Sequence, residues 1–314
     1  MISVFSFKDS VVHKVLEEVL CQHVNPKLHR RSLAYRPGSS TTRAVRTVES
    51  LIDQNYLVTI NIDIEKCFDN IDHELLWERL SAAVQGDSIA QLTQNALDFG
   101  DSPNIPGTSG KIGIPQGSPL SPLLVNIYLD EFDRAMPRIG AEFVRYSDNI
   151  AVFAKSRTEA SKYLDKTVQF MAESRLKIHP DGLKVQTVWE AEFLGYRFVS
   201  RPDKSVKVAL SEKTKLHIRD RIEEKLQSSL AAPLDMRMAQ QDLFRSELPL
   251  VRYLASLAGS YGVSHDWNAI QSSIAYAKDC ATNAGYSGWF DGEITSQARA
   301  QYERLHAKFR TEPL

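Results

Sequence analysis

Apolar and polar positions alternate in patterns that divide the chain into a mixed part and a helical part. Val11, Val12, Val15, Leu16, Val19 and Leu20 recur at helical spacing and predict an amphipathic helix over 8–24. The loop AYRPGSS (34–40) separates it from a helix over about Thr41–Asp53. YLVTINIDI (56–64) is rich in β-branched residues and predicts a buried strand. Helices fit 73–84 and 87–98, and 99–119 reads as loop with at most a short ribbon near 110–114. Ser118 opens the next helix, LSPLLVNIYLDEFDRAM. EFVRY and IAVFA predict two strands of a hairpin, with Asp148 at its tip and Asn149 beside it. A helix over about 157–174 and two short strands within 183–199 follow. Beyond about residue 200 the periodicity is helical, over 211–228, 235–260, 264–284 and 293–310.

Composition adds a packed core to this picture, with 43% hydrophobic and 25% charged residues. No apolar run approaches the ~18–20 residues that cross a bilayer, and the N-terminus lacks the basic and apolar regions of a signal peptide. Cys21, Cys67 and Cys280 form neither a zinc spacing nor a disulfide framework, so the expected compartment is the cytoplasm. The formal net charge is −1 and by itself says nothing of nucleic acid. Its distribution says more. Residues 26–46 hold Lys27, Arg30, Arg31, Arg36, Arg43 and Arg46 with no acid, and a second basic zone spans 201–221. Each zone reads either as a solvated face or as a nucleic-acid contact.

Three stretches bear on chemistry. In NIDIEKCFDNIDHELL (61–76), Asp63 ends an apolar strand, where a carboxylate caps a turn or stands at the open edge of a sheet. Asp148, at the hairpin tip, is a turn aspartate or the second member of such a site. If the two strands are neighbours, the carboxylates meet and repel unless a cation lies between them. Mg²⁺ suits that place, because it binds through one or two carboxylates plus substrate phosphates. In GIPQGSPLSPLLVNIYLDEFDR (113–134), glycines and prolines surround Gln116 just before a helix. Such a loop brings backbone close to a ligand, or serves only as a strand-to-helix turn.

These stretches stand in the order and spacing of the palm motifs of reverse transcriptases. NIDIEKCFDNIDHELL resembles motif A of the bacterial, group II intron-like enzymes, GIPQGSPLSPLLVNIYLDEFD their motif B, and RYSDN their motif C, usually Tyr-x-Asp-Asp. YRPGSS resembles a fingers motif, LKIHPDGLKVQ motif D, FLGYRF motif E, and FKDSVVHKVL the start of the fingers. The resemblance covers about residues 7–200. It implies an α+β right-hand polymerase fold, with fingers and palm over 1–200 and an α-helical thumb over 201–314. The implied activity is that of an RNA-directed DNA polymerase, adding dNTPs to a 3′-hydroxyl by a two-metal mechanism.

Residue roles follow from the same resemblance. Asp63 and Asp148 match the catalytic metal ligands, assisted by the carbonyl of Ile64, with Mg²⁺ as cofactor and Mn²⁺ as the alternative. Asn149 stands where the family has a second aspartate; it offers one carbonyl oxygen and removes one charge. Phe68 matches the aromatic gate that favours dNTPs, or is a core aromatic. Gln116 and Gly117 would meet the incoming nucleotide or template. Arg36 would meet the triphosphate, or is a surface arginine. Lys184 matches, with imperfect spacing, the lysine that protonates pyrophosphate. Asp69, Asn70, Asp72 and His73 read as caps of the helix starting near His73. Arg30 and Arg31, with Lys213, Lys215, Arg219 and Arg221 in the thumb, are the expected nucleic-acid contacts.

The expected partners are an RNA template, a DNA product, dNTPs, and a noncoding RNA or second protein subunit. With no maturase, DNA-binding or endonuclease region visible, the resemblance points to a defence-associated, antiphage enzyme. FLGYRF in place of a Val-Thr-Gly segment disfavours a retron enzyme. Two other readings remain: template-independent or protein-primed synthesis, and a catalytically silent nucleic-acid-binding subunit, for which Asn149 is the support.

Overall fold

Val58–Ile64 (β1) reads VTINIDI, and its side chains alternate between two environments. Val58, Ile60, Ile62 and Ile64 enter a hydrophobic core, while Asn61 is half-buried and Asp63 exposed. The computed structural model describes residues 5–84, 87–98, 112–231 and 267–284, with scattered residues over 250–257 and 296–304. The chain divides into two compact units, Met1–Ala191 and Glu192–Leu314.

In the first unit, β1 is central in an antiparallel sheet of order β2-β3-β1-β4, with β2 at Glu142–Tyr146, β3 at Asn149–Ala154 and β4 at Ile178–Thr187. One face of the sheet is covered by core residues from α1 (Phe7–Val24), α3 (His73–Val84), α5 (Ser121–Arg138) and α6 (Arg157–Glu173). The centre of that layer is α5, buried along most of its length from Ser121 to Met136. Helices gathered on one face of an antiparallel sheet make an α+β architecture. The other face is buried at one end, through Val144, Ala151 and Phe153, and open at the end carrying Asp63 and Asn149. α2 (Thr41–Asp53) packs on β2, and α4 (Asp87–Asp98) packs on α1 and α3.

Local signals set the helix starts. Ser6, Ser40, Ser156 and Ser211 each accept a hydrogen bond from the backbone N–H three residues on. At α5 the structure departs from the expected start: Ser118 follows the Gln116–Gly117 turn, its hydroxyl bonded to the Leu120 N–H and to His13 Nδ1, and the helix begins at Ser121.

The second unit opens on an antiparallel sheet of β5 (Glu192–Phe193), β6 (Tyr196–Ser200) and β7 (Val206–Leu210). The strand β7 falls where helix alone was expected after residue 200. VKVAL is short and β-branched, and it is held by pairing along β6, a partner that periodicity in one segment does not reveal. α7 (Glu212–Leu230) and α8 (Trp267–Asn283) pack together. The helices expected over 235–260 and 293–310, and the loop over 99–111, lie for the most part outside the described residues.

Candidate active site

The open end of the sheet is built by register. Asp63 lies directly opposite Asn149 across β1 and β3, and Asn149 lies opposite Tyr146 across β3 and β2. Directly opposed residues share a face, so Tyr146, Asn149 and Asp63 form one row. Two residues back along β1, Asn61 pairs with Lys184, which puts the exposed Lys184 on the Asp63 face. Because Tyr146 and Asn149 pair, the hairpin loop is Ser147–Asp148 alone. Ser147 takes φ +61° at the first loop position, the left-handed region that hairpin turns of this length require and glycine usually fills. The turn leaves Asp148 half-buried and Asn149 exposed, with Asn149 Nδ2 3.4 Å from Asp148 Oδ1.

A short 3-10 turn, Cys67–Asn70, follows β1 and lies near the same place. Burial pushes the Cys67 thiol up to about 12, and the Asp148 carboxylate adds to the effect. Phe68 is half-buried and packs against the core with one side. Its carbonyl accepts from the Ile114 N–H at 2.8 Å, and the Ile71 carbonyl from the Gly113 N–H at 2.7 Å. Gly113 has φ +94°, and a Cβ there would stand 3.0 Å from the Asp69 carbonyl oxygen. His73 Nε2 lies 2.6 Å from the Gly113 carbonyl, and Gln116 Nε2 donates to Asp69 Oδ1 at 3.2 Å. The stretch around Gln116 and the exposed Gly117 is thereby tied to the turn after Asp63. Of the four polar residues beyond Phe68, Asp72 caps α3 through the Leu75 N–H, and Asn70 donates to the Glu65 carbonyl.

Several expected contacts have other partners. Arg36 donates through Nε to Asn25 Oδ1, through Nη1 to the His29 and Ser32 carbonyls, and through Nη2 to the Asn25 carbonyl, at 2.5–2.9 Å. Its guanidinium closes the 25–36 loop, where a triphosphate contact calls for donors facing outward. Arg31 pairs with Glu142 at 2.6 Å, whereas Arg30 is exposed. In the second unit Lys213 is exposed, Lys215 pairs with Glu212 at 2.9 Å and Arg221 with Glu224. Arg219 lies over the Tyr276 ring at 5.6 Å. A groove of about 370 Å³ runs between Glu212, Lys215 and Arg219 of α7 and Asn268, Ser272 and Ser273 of α8.

Two features went unforeseen. Gly182 of β4 lies against Asp63: a Cβ on it would stand 2.7 Å from Asp63 Cβ and 2.9 Å from the Asp63 carbonyl oxygen. The β1–β4 register shifts between Ile62 and Ile64, at this spot. The glycine between Asp181 and Leu183 was the available signal. The second is a fully buried ion pair between Arg145 and Asp133. Its signal was the arginine of EFVRY, a charge at a core position of a strand.

Asp63, Asp148, the Asn149 side-chain carbonyl and the main-chain carbonyl of Ile64 all offer oxygen, the donor type that a hard divalent cation takes. Among the described residues there is no group of three or more His, Cys, Asp or Glu side chains that could hold a metal. A two-carboxylate site relies on water and substrate phosphate for its remaining ligands.

An antiparallel sheet backed by helices on one face, with acids at its open end, defines the palm of a right-hand polymerase. Residues 1–198 match the reverse transcriptase (RNA-dependent DNA polymerase) family, and the chain belongs to that family. It is 31% identical over 163 residues to an uncharacterised 91 kDa protein in the cob intron of Schizosaccharomyces pombe, covering 52% of this chain and 20% of that protein. It is 30% identical over 142 residues to the group II intron-encoded protein LtrA of Lactococcus lactis, covering 45% of this chain and 24% of LtrA. The chain thus spans a quarter or less of these relatives. Among solved structures, telomerase from Candida tropicalis in complex with a fragment of telomeric RNA superposes with a TM-score of 0.50 at 11% identity, over 96% of this chain and 56% of that one. That likeness is one of fold.

Proposed function

We propose that the chain is an RNA-directed DNA polymerase that adds deoxynucleotides to a 3′-hydroxyl, with Asp63 and Asp148 as its metal-holding acids. The observation that carries this reading is the register that sets Asp63 opposite Asn149, one residue from Asp148, at the open end of the sheet. Asp63, Asp148, the Ile64 carbonyl and the Asn149 amide would hold Mg²⁺, or Mn²⁺ in its place. The metal ions would activate the 3′-hydroxyl and stabilise the leaving pyrophosphate.

The chain's own groups position the reactants. Phe68, whose backbone carbonyl is held by the Ile114 N–H, would supply the aromatic wall that excludes a ribose 2′-hydroxyl. Gln116 and Gly117 would line the nucleotide. Lys184, on the Asp63 face, would hand a proton to pyrophosphate. Arg30, Lys213 and the α7–α8 groove would take phosphates of the template and primer, through charge rather than sequence.

The test is incorporation on a primed RNA template with Mg²⁺ and with Mn²⁺. Asp63→Ala and Asp148→Ala should each abolish it, and retention of activity by either variant overturns the assignment. One observation favours a second reading: the amide at 149 removes a charge facing Asp63, as suits a silent nucleic-acid-binding subunit. Wild type that binds primer–template but incorporates under neither metal would support that subunit role. The proposed setting, antiphage defence with a noncoding RNA or protein partner, is tested by phage plating on cells carrying wild type or Asp148→Ala.

A further inference from the structure

The hairpin that carries Asp148 has a strained residue at its tip and a buried charge at its base. Arg145 is fully buried, and so is Asp133 of α5. Arg145 Nε donates to both Asp133 carboxylate oxygens, at 2.8 and 3.1 Å, and Nη2 donates to Asp133 Oδ2. Nη1 donates to Asn126 Oδ1 at 2.8 Å and to the carbonyl of Ser147 at 3.1 Å. Nη2 also donates to Ser32 Oγ at 2.7 Å. Asn126 is anchored in turn by its Nδ2 donating to the Ala34 carbonyl at 2.8 Å. The backbone repeats the pattern, for the Leu33 N–H donates to the Arg145 carbonyl and the Arg145 N–H to the Arg31 carbonyl.

A buried ion pair is weak evidence for stability, since desolvation of both charges offsets their attraction. What this one adds is direction. A planar guanidinium with five donors fixes several acceptors at once, which an ammonium on a flexible stem does not. One of those acceptors is the carbonyl of Ser147, the residue at φ +61° and the immediate neighbour of Asp148. A non-glycine residue keeps such a backbone only where its surroundings enforce it.

We propose that Arg145 is the positioning residue of the Asp148 turn, locking the Ser147 carbonyl to α5 and to the 31–33 segment and so setting where the Asp148 carboxylate stands relative to Asp63. This rests on the reading of Asp63 and Asp148 as the metal-holding acids. Arg145 itself lies on the core face of β2, opposite Ile150, and meets no substrate.

The experiment uses the full chain. Arg145→Lys retains the charge facing Asp133 but loses the fork. A second variant, Arg145→Met with Asp133→Leu, removes both charges and so leaves no unpaired ion in the core. Amide hydrogen exchange is followed in metal-free protein, over 145–149 and over helix 87–98, which packs on α1 and α3. Whichever variant folds should exchange faster over 145–149 with 87–98 unchanged, whereas general destabilisation speeds both. Steady-state incorporation should show kcat lowered on the order of 100-fold with KM for dNTP changed far less, as for a misplaced reacting group. Wild-type exchange over 145–149, or faster exchange there with wild-type kcat, overturns the proposal. If wild type incorporates nothing, or Asp148→Ala remains active, the metal-site reading fails, and the exchange data still decide whether Arg145 holds the turn.

Discussion

Asn149 and Gly182 bracket Asp63 from the two strands beside it, and each makes a residue-scale prediction. Asn149→Asp puts a second charge opposite Asp63. Two facing carboxylates repel when empty and draw a cation between them. The Mg²⁺ concentration for half-maximal incorporation should therefore fall, as read from a Mg²⁺ titration of the primer-extension rate. Gly182→Ala forces a methyl into space held by Asp63 Cβ and its carbonyl. Overpacking of this kind costs about 1–3 kcal/mol of stability, and displacing Asp63 should cost on the order of 100-fold in kcat. Thermal melting and single-turnover extension measure the two losses separately. Asp63 and Asp148 were both legible in the sequence, because each follows an apolar strand. Gly182 was not legible as a contact of Asp63, because the two are joined only by strand pairing.

At the scale of elements, α3 is tied to the chain after α6 through its N-cap. Asp72 accepts from the Leu75 N–H and pairs with Arg175 at 2.8 Å, and Glu74 pairs with the same arginine. Burial pushes the Asp72 carboxyl up, but the Arg175 guanidinium and the backbone N–H groups outweigh it and hold it below its ordinary value. A folded pKa below the unfolded one means that the unfolded chain binds more protons between the two. The stabilisation is then complete above the unfolded value, near ~3.9, and is lost as pH falls through the folded value. Asp72→Asn keeps the cap and removes the charge. It should melt below wild type at pH 6, and the gap should close under acid; a gap that persists unchanged at pH 3 would count against the ion pair as its source. The bounds of α2, α3 and α4 matched their periodicity, since the apolar stripes of α3 and α4 meet one core and that of α2 packs on β2. β7 did not, since it is held by pairing along β6, which periodicity in its own segment does not reveal.

At the scale of the molecule, a net charge of −1 leaves nucleic-acid binding to local clusters. Much of the basic stretch over 26–46 turns inward, with Arg31 on Glu142 and Arg36 on the 25–36 loop, while Arg30 stays exposed. Arg30→Ala and Lys213→Ala should each weaken primer–template binding across sequences and reduce the slope of log affinity against log salt by about 1. Fluorescence anisotropy between low and moderate salt checks this. Sequencing the DNA made by the purified chain on RNA of known sequence checks templated synthesis, and products unrelated to the template would point to untemplated extension.

By itself the sequence determined most elements of the first unit, the motif order and the family, because periodicity and motif spacing are local properties of a chain. It also determined which acids could meet. Only the tertiary structure decided that Asp63 faces Asn149, that Gly182 must lack a side chain, and that Arg36 closes a loop instead of facing outward. It decided, too, that Arg145 is buried beneath the turn holding Asp148. The pairing of Asp63 with Asn149 and Gly182 joins segments some 85 to 120 residues apart, and the partners of Arg36 and Arg145 are set by how loop, strand and helix pack, which apolar spacing along the chain does not carry.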